Sequence, residues 1–281
     1  MRIVITGASS GLGKASAEHF AKEGHELVLL ARGMERLQQT AQELATKYPN
    51  TKLETHQVDI SDLDQVRSFA ENQTKQIDVL MNNAGLMGPD FSLSPQGIES
   101  QMATNHLGHF LLTNLLWNKL AKDTGRVISL SSVVHRRSKL EANSKEEIAG
   151  ATGKYDRWGR YADSKLACLF FSRELDLRAK QAGSEVLSIA AHPGWALTGL
   201  QSNYPNTLDF LAQKAEVGAR SQIQAASSPG FKGGEFIGPQ FEAWGNPKLI
   251  EGSKHSRRLD VMKRLWEISE ELTGESFYPA R

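Results

Sequence analysis

The 281-residue chain predicts an α/β fold: a doubly wound, mostly parallel sheet of seven strands with helices on both faces. Three observations carry that prediction. Short runs rich in Val, Ile and Leu alternate with longer amphipathic segments in steady order. The runs are nearly continuous in apolar residues, as parallel strands buried on both faces require. A glycine-rich turn, Thr6-Gly7-Ala8-Ser9-Ser10-Gly11-Leu12-Gly13, joins the first run to the first helical pattern.

The candidate strands occupy residues 2–6, 25–31, 52–58, 79–82, 126–131, 185–191 and 235–237. Amphipathic patterns at 13–23, 34–48, 62–76 and 161–181 supply the helices between them. Such an order implies right-handed crossovers. No Pro/Ser-rich linker, repeat or low-complexity tract interrupts the middle, so one domain over 1–281 is expected. Two stretches break the rhythm, at 133–160 and 195–220. Long excursions at the carboxyl ends of strands build the ligand side of such folds; tolerated surface insertions are the alternative.

Composition excludes several classes of function. Hydrophobic residues make up 40% and charged residues 23%, enough for a substantial core. A net charge of +1 argues against nucleic acid or an anionic membrane as partner. The basic clusters at 135–139 and 254–264 are diluted by neighbouring acids. A single cysteine, Cys168, rules out an internal disulfide framework and reads as a small core residue on a helix. The apolar run after Met1-Arg2 is too short for a signal peptide. No window approaches the ~18 apolar residues of a membrane span, so a cytoplasmic chain is expected. Asn72-Gln73-Thr74, a glycosylation triplet, is then a chance match.

The opening loop has two readings. Gly7-Ala8-Ser9-Ser10-Gly11 fits G-x-S-x-G, the elbow that exposes a nucleophilic serine in α/β-hydrolases. Gly7, Gly11 and Gly13 also fit a loop that brings backbone amides to a phosphate, with the following helix aiming its positive end at it. A hydrolase elbow lies deep in the sheet with an acid and then a histidine downstream, whereas Ser9 follows the first strand. Phosphate binding is therefore the expectation. The second run then ends at Ala31-Arg32, with no acid to hold a ribose 2′-hydroxyl. A guanidinium suits a 2′-phosphate, which favours NADP over NAD; a solvated loop arginine is the alternative.

Three later motifs narrow the reading. Asn82-Asn83-Ala84-Gly85 follows the fourth run, Ser131-Ser132 closes the fifth, and Tyr161-Ala162-Asp163-Ser164-Lys165 opens a helix. With the glycine loop, this ordered set resembles the short-chain dehydrogenase/reductase family over residues 2 to about 238. The resemblance implies a Rossmann-type NAD(P)-binding domain that transfers hydride between nicotinamide and a carbonyl or alcohol. Tyr161 matches the proton donor and acceptor. A phenol of pKa about 10 needs nearby positive charge to act as a base, and Lys165 lies one helical turn on. Ser132 matches the residue that holds the reacting oxygen, with Ser131 second to it. Asn105 matches the asparagine that organises a water relay, against a purely structural hydrogen bond. The family's cofactor contacts fall on Gly7, Ser9, Ser10, Gly11, Leu12 and Gly13, on Arg32, Asp59 and Ile60, and on Asn83, Ala84 and Gly85. Tyr161, Lys165, Pro193, Gly194 and Thr198 complete them.

Within the family, the 133–160 segment, Leu265-Trp266-Glu267-Ile268-Ser269 and Leu272-Thr273-Gly274 resemble the subgroup of retinol dehydrogenases and light-dependent protochlorophyllide reductases. A light-driven reaction stays open, with Cys168 the one cysteine at hand, as does a non-enzymatic NADP-binding regulatory protein. Membership implies homodimers or homotetramers. His106 and His109 have H-x-x-H spacing but no evident third ligand, so no metal is expected. Trp158, Trp195, Tyr204 and Phe210 either line a pocket for a lipophilic or aromatic substrate or anchor their own loops. The stripe Leu259, Met262, Leu265, Trp266 and Ile268 closes over the core or joins a subunit interface.

Overall fold

Ten helices and eight strands appear among residues 1–196 and 212–277, the portion that the computed structural model describes. The strands are β1 (Arg2–Thr6), β2 (Glu26–Ala31), β3 (Leu53–Gln57), β4 (Val79–Asn82), β5 (Arg126–Leu130), β6 (Leu187–Ala191), β7 (Phe236–Pro239) and β8 (Pro247–Leu249). The helices are α1 (Gly11–Lys22), α2 (Met34–Lys47), α3 (Leu63–Glu71), α4 (Ser100–Met102), α5 (Gly108–Leu116), α6 (Lys145–Ala149), α7 (Arg157–Gln181), α8 (Ala215–Gly218), α9 (Arg220–Ser227) and α10 (Leu259–Thr273). All strands join one sheet in the order β3-β2-β1-β4-β5-β6-β7-β8. The seven expected strands run parallel, and the sheet carries one more: β8 pairs antiparallel with β7, Ile237 opposite Leu249. Three largely exposed residues, Pro247-Lys248-Leu249, present no apolar run from which an edge strand can be read.

Alternate side chains of the parallel strands feed two cores. Ile3, Ile5, Leu27 and Leu29 face α1, α2 and α9, packing with Phe20 and Leu37. Val4, Val28, Leu30 and Leu80 face α3, α5, α7 and α10, packing with Phe110, Phe170 and Trp266. The last helix covers this second core: Trp266 meets Phe110 edge-on at 4.9 Å and stacks on Phe171 at 5.8 Å. The stripe on α10 thus closes over the core, while Leu259 at its start is left in solvent. At the opposite edge, β3 (Leu-Glu-Thr-His-Gln) is half-buried and polar, and Glu54 takes a 2.8 Å bond from Arg2.

Two local features place the site. The helix through residues 100–116 contains a π-turn at Ala103–Leu107, which widens the coil and lifts Asn105 out of α-helical register. Just after it, Gly108 rests on the chain following β3, and a Cβ there would lie 1.9 Å from the Ile60 carbonyl oxygen. The second feature is α7, which starts four residues earlier than its apolar pattern because Asp156 caps it, accepting from the Trp158 amide.

The 133–160 excursion is folded rather than a loose insertion. A 3-10 turn (Val133–Arg137) leads to α6, which is capped by Ser144 and ended by Gly150 at φ +58°. Arg160 then donates to the Glu147 and Ile148 carbonyls and pairs with the fully buried Glu99 at 3.4 Å.

Burial also fixes the charge of two core histidines. It lowers His106 to about 3, with His109 adding to the effect, and His109 to about 4, against an ordinary 6.5. Below pH 6.5 the unfolded chain takes protons that the folded chain refuses, so stability is complete above that value and is lost as pH falls. Each histidine should remove about 2 kcal/mol of unfolding free energy between about pH 7.5 and pH 5. In urea unfolding, His106→Gln should lose about 2 kcal/mol less than wild type across that interval; an equal loss in both proteins would refute the assignment.

Candidate active site

The sheet order reverses between β1 and β4, and the parting of their carboxyl ends opens a cleft of about 820 Å³. Its floor at one end is the glycine loop. Gly7 and Gly11 take left-handed backbone at φ +67° and +52°. A Cβ on Gly13 would lie 2.3 Å from the Gly7 carbonyl oxygen, and one on Gly7 would lie 2.9 Å from Ala84 Cα. Side chains here would fill the space that the loop keeps open. Ser10 is the N-cap residue of α1 and makes no side-chain cap bond. Ser9, Ser10 and the first turn of α1 line the cleft, where the free amides of a helix N-terminus can donate.

Beyond β2 the cleft reaches Arg32, in the connection to α2, and Arg36, in the first turn of α2. Both are exposed, and among the described residues neither is paired with a carboxylate. Arg36 carries no sequence signal of a site residue, because Arg32 precedes α2 and no helical spacing links the two. Asp59 and Ile60 border the same end; Asp59 is held by the Ser61 amide and hydroxyl at 2.9 and 2.7 Å. Two guanidiniums beside a glycine cradle at a helix N-terminus suit a dinucleotide carrying an extra phosphate.

Asn83, Ala84 and Gly85 form the wall between the two ends. The Asn83 side chain turns inward, donating to the Thr6 carbonyl at 2.7 Å, so its contribution to the cleft is largely its backbone.

Ser132, Tyr161 and Lys165 converge at the far end. Ser131 is turned away, its hydroxyl donating to the Lys165 carbonyl at 2.7 Å and pinning α7 to the end of β5. Lys165 Nζ lies 5.8 Å from the Tyr161 ring centre and donates to the Leu130 carbonyl at 3.1 Å. Burial pushes the Tyr161 phenol up to about 12, opposed by a hydrogen bond with Ser132. Burial also lowers Lys165 from its ordinary value. The two shifts share one cause, the loss of solvent around each charged form.

Asn105 stands behind this trio and does not line the cleft. Its Oδ1 accepts from the Leu86 amide at 2.7 Å, and its Nδ2 donates to the Leu86 carbonyl and to Ser164 Oγ at 3.0 and 2.8 Å. Its carbonyl accepts from His109 Nδ1 and Cys168 Sγ. A structural role is thus fully occupied, and Cys168, buried against it, is also outside the cleft. The two H-x-x-H histidines part company: His106 bonds Ser269 at 2.8 Å and His109 bonds Thr6 at 2.9 Å.

Pro193 and Gly194 line the cleft, with Gly194 at φ +76° beneath the Ala243 carbonyl. Thr198, Tyr204 and Phe210 lie outside the described residues. Trp195 lines the cleft, while Trp158 packs over Gly88 at its margin. The turn after β7 adds Phe241, Glu242 and Ala243, which no motif marks. His192 also lines the cleft; its Nε2 donates to the Glu242 carbonyl at 2.9 Å, and burial lowers it to about 4.

Comparison with known proteins agrees with this geometry. Residues 1–143 match the short chain dehydrogenase family model. Bovine retinol dehydrogenase 12 is 33% identical over 286 aligned residues, covering 97% of this chain and 86% of that protein. The crystal structure of an uncharacterised protein from Mycobacterium paratuberculosis superposes with a TM-score of 0.86 at 35% identity, over 99% of this chain and 94% of that one. A short-chain dehydrogenase from Sphingobium yanoikuyae in complex with NADPH superposes with a TM-score of 0.60 at 25% identity, over 79% and 83% of the two chains. The chain belongs to the short-chain dehydrogenase/reductase family, in its retinol-dehydrogenase-like subgroup.

Proposed function

We propose that the protein is an NADP(H)-dependent oxidoreductase that interconverts an alcohol and a carbonyl compound, with Tyr161 passing the proton. The observation that carries this reading is the meeting of Ser132, Tyr161 and Lys165 at one end of a cleft whose other end holds a glycine cradle and two guanidiniums that meet no carboxylate among the described residues. Gly7, Ser9, Ser10, Gly11, Leu12 and Gly13 would hold the pyrophosphate, and Arg32 with Arg36 the 2′-phosphate. Asp59 and Ile60 would flank the adenine, and Pro193 and Gly194 the nicotinamide. NADP(H) bound in this way supplies or accepts the hydride. The NADPH held by the Sphingobium relative supports that choice of cofactor.

The chain's own residues handle the proton. In the reductive direction the raised pKa keeps Tyr161 protonated at neutral pH, so it can donate to the carbonyl oxygen that Ser132 holds. In the oxidative direction Tyr161 must lose its proton, and the ammonium of Lys165, on the same helix face, favours the phenolate. Leu86, Met87, Val133, Val134, Trp195 and Phe241 give the substrate end an apolar lining. With the retinol dehydrogenase relatives, this points to a lipophilic or aromatic aldehyde, ketone or alcohol.

Two measurements test the reading. Titration with NADPH and NADH should show tighter binding of NADPH. Arg32→Ala and Arg36→Ala should each weaken NADPH on the order of 10-fold and leave NADH nearly unchanged; equal loss for both nucleotides would refute the 2′-phosphate site. Absorbance at about 340 nm against a panel of aldehydes and ketones should reveal turnover that Tyr161→Phe lowers by about 10²–10⁴. Alcohol oxidation should rise with pH through the neutral range while carbonyl reduction stays level, because the two directions need opposite forms of the phenol. Full activity of Tyr161→Phe would end the proposal.

A further inference from the structure

The turn that follows Ser132 contains a fully buried histidine that the proton chemistry above does not use. His135 Nδ1 lies 2.6 Å from the Ser132 carbonyl oxygen, which the His135 amide also reaches at 3.0 Å. On the other side of the ring, the Ser253 amide donates to Nε2 at 3.0 Å. A carbonyl only accepts and an amide N–H only donates, so the two contacts specify a neutral imidazole with its proton on Nδ1. Phe236 packs edge-on against the ring at 5.6 Å.

Ser253 is anchored in turn. Its hydroxyl accepts from the Ser256 amide at 3.1 Å, and its carbonyl accepts from Ser256 Oγ at 2.7 Å. Arg173, on α7, donates to Ser256 Oγ at 2.8 Å and to the Ser256 carbonyl. The chain of contacts thus starts at Ser132 and returns to the helix that carries Tyr161 and Lys165. One arm is the end of β5, the other is α7, and the segment after β8 spans them.

We infer that His135 is a positioning residue: it fixes Ser132 against Tyr161 by bridging the Ser132 carbonyl to the Ser253 amide. The inference rests on the reading of Ser132 and Tyr161 given above. A proton on Nε2 would set donor against donor at Ser253 and break the bridge. Burial foremost, then Arg136 and Arg173, disfavours that proton; the Ser132 carbonyl and Glu242 favour it, and His192 also faces the ring. The balance keeps the imidazole neutral.

The test uses the full chain with NADPH and benzaldehyde or a ring-substituted benzaldehyde as probe. His135→Ala should lower kcat about 10- to 100-fold, since small displacements of a positioned group are costly. NADPH affinity and the KM for aldehyde should stay within about twofold, because the cradle and the apolar lining are untouched. In His135→Asn, Nδ2 can stand where Nδ1 stands and donate to the Ser132 carbonyl, so part of kcat should return. Imidazole ¹⁵N spectra of wild type should show one histidine, absent in His135→Ala, as the Nδ1–H tautomer at neutral pH. An Nε2–H or charged ring would overturn the inference without any kinetic measurement, as would wild-type kcat in His135→Ala. A kcat loss matched by equal loss of NADPH affinity would also overturn it, because the effect would then be general unfolding of the site. The parallel Tyr161→Phe protein separates the two levels: if it is fully active, or if wild type reduces no aldehyde, the functional reading falls. If Tyr161→Phe is inactive while His135→Ala is not, only the inference falls.

Discussion

The hydroxyl of Thr6 ties together the two strands whose separation makes the site. Strands β1 and β4 must diverge at their carboxyl ends for a ligand to enter, yet the chain after each must stay in register with the other. Thr6 Oγ1 accepts from the Asn83 and Ala84 amides, both at 2.9 Å, and the Asn83 side chain returns a bond to the Thr6 carbonyl. Those contacts set the 2.9 Å approach that only a glycine at position 7 tolerates. Because His109 Nδ1 donates to the Asn105 carbonyl, its Nε2 is bare and accepts the Thr6 proton. The tie therefore continues through the π-turn to Asn105, then to Leu86 and Ser164, and so to α7. One uninterrupted set of hydrogen bonds runs from the nucleotide cradle to the helix bearing Tyr161.

How much of this is legible in the sequence depends on whether a residue acts through its own type or through a neighbour. Gly7, Gly13, Tyr161 and Lys165 are legible because the need is local: a glycine for a close approach, a lysine one turn beyond a tyrosine. The inner strands are legible because burial on both faces leaves only apolar choices, as at Ile3, Val4 and Ile5. Edge β3 is less so, since Glu54 and His56 answer to solvent and to Arg2 rather than to a core. β8 is invisible for the same reason. Asn105 can be found by spacing, but its place in a π-turn depends on packing that no local pattern encodes. Arg36, His192 and the 241–243 turn reach the cleft only through tertiary placement.

The excursion between Ser132 and Tyr161 shows how a long connection can add to a site without carrying its chemistry. Arg160 immediately precedes Tyr161, and its guanidinium fastens the end of α6 and the buried Glu99 at once. Tyr155 adds a bond to the Pro89 carbonyl at 2.9 Å, and Gln101 bonds the Tyr155 hydroxyl and the Gly88 amide. Segments far apart in sequence are thereby locked to the start of α7. Glu99 lacks all exposure and also accepts from the Gln101 and Met102 amides at 2.9 and 3.1 Å, so loss of Arg160 would remove a cationic partner from a carboxyl group that water cannot reach.

The buried histidines have a consequence for reading any pH profile of this protein. His106, His109 and His192 are held uncharged by burial, and His135 is held below its ordinary value by the same cause. Across mildly acidic and neutral pH the first three stay uncharged. They switch on no field at Tyr161 as protons are added or withdrawn. A rise of alcohol oxidation with pH in that range then reports the small but growing fraction of Tyr161 phenolate, well below the phenol's own midpoint.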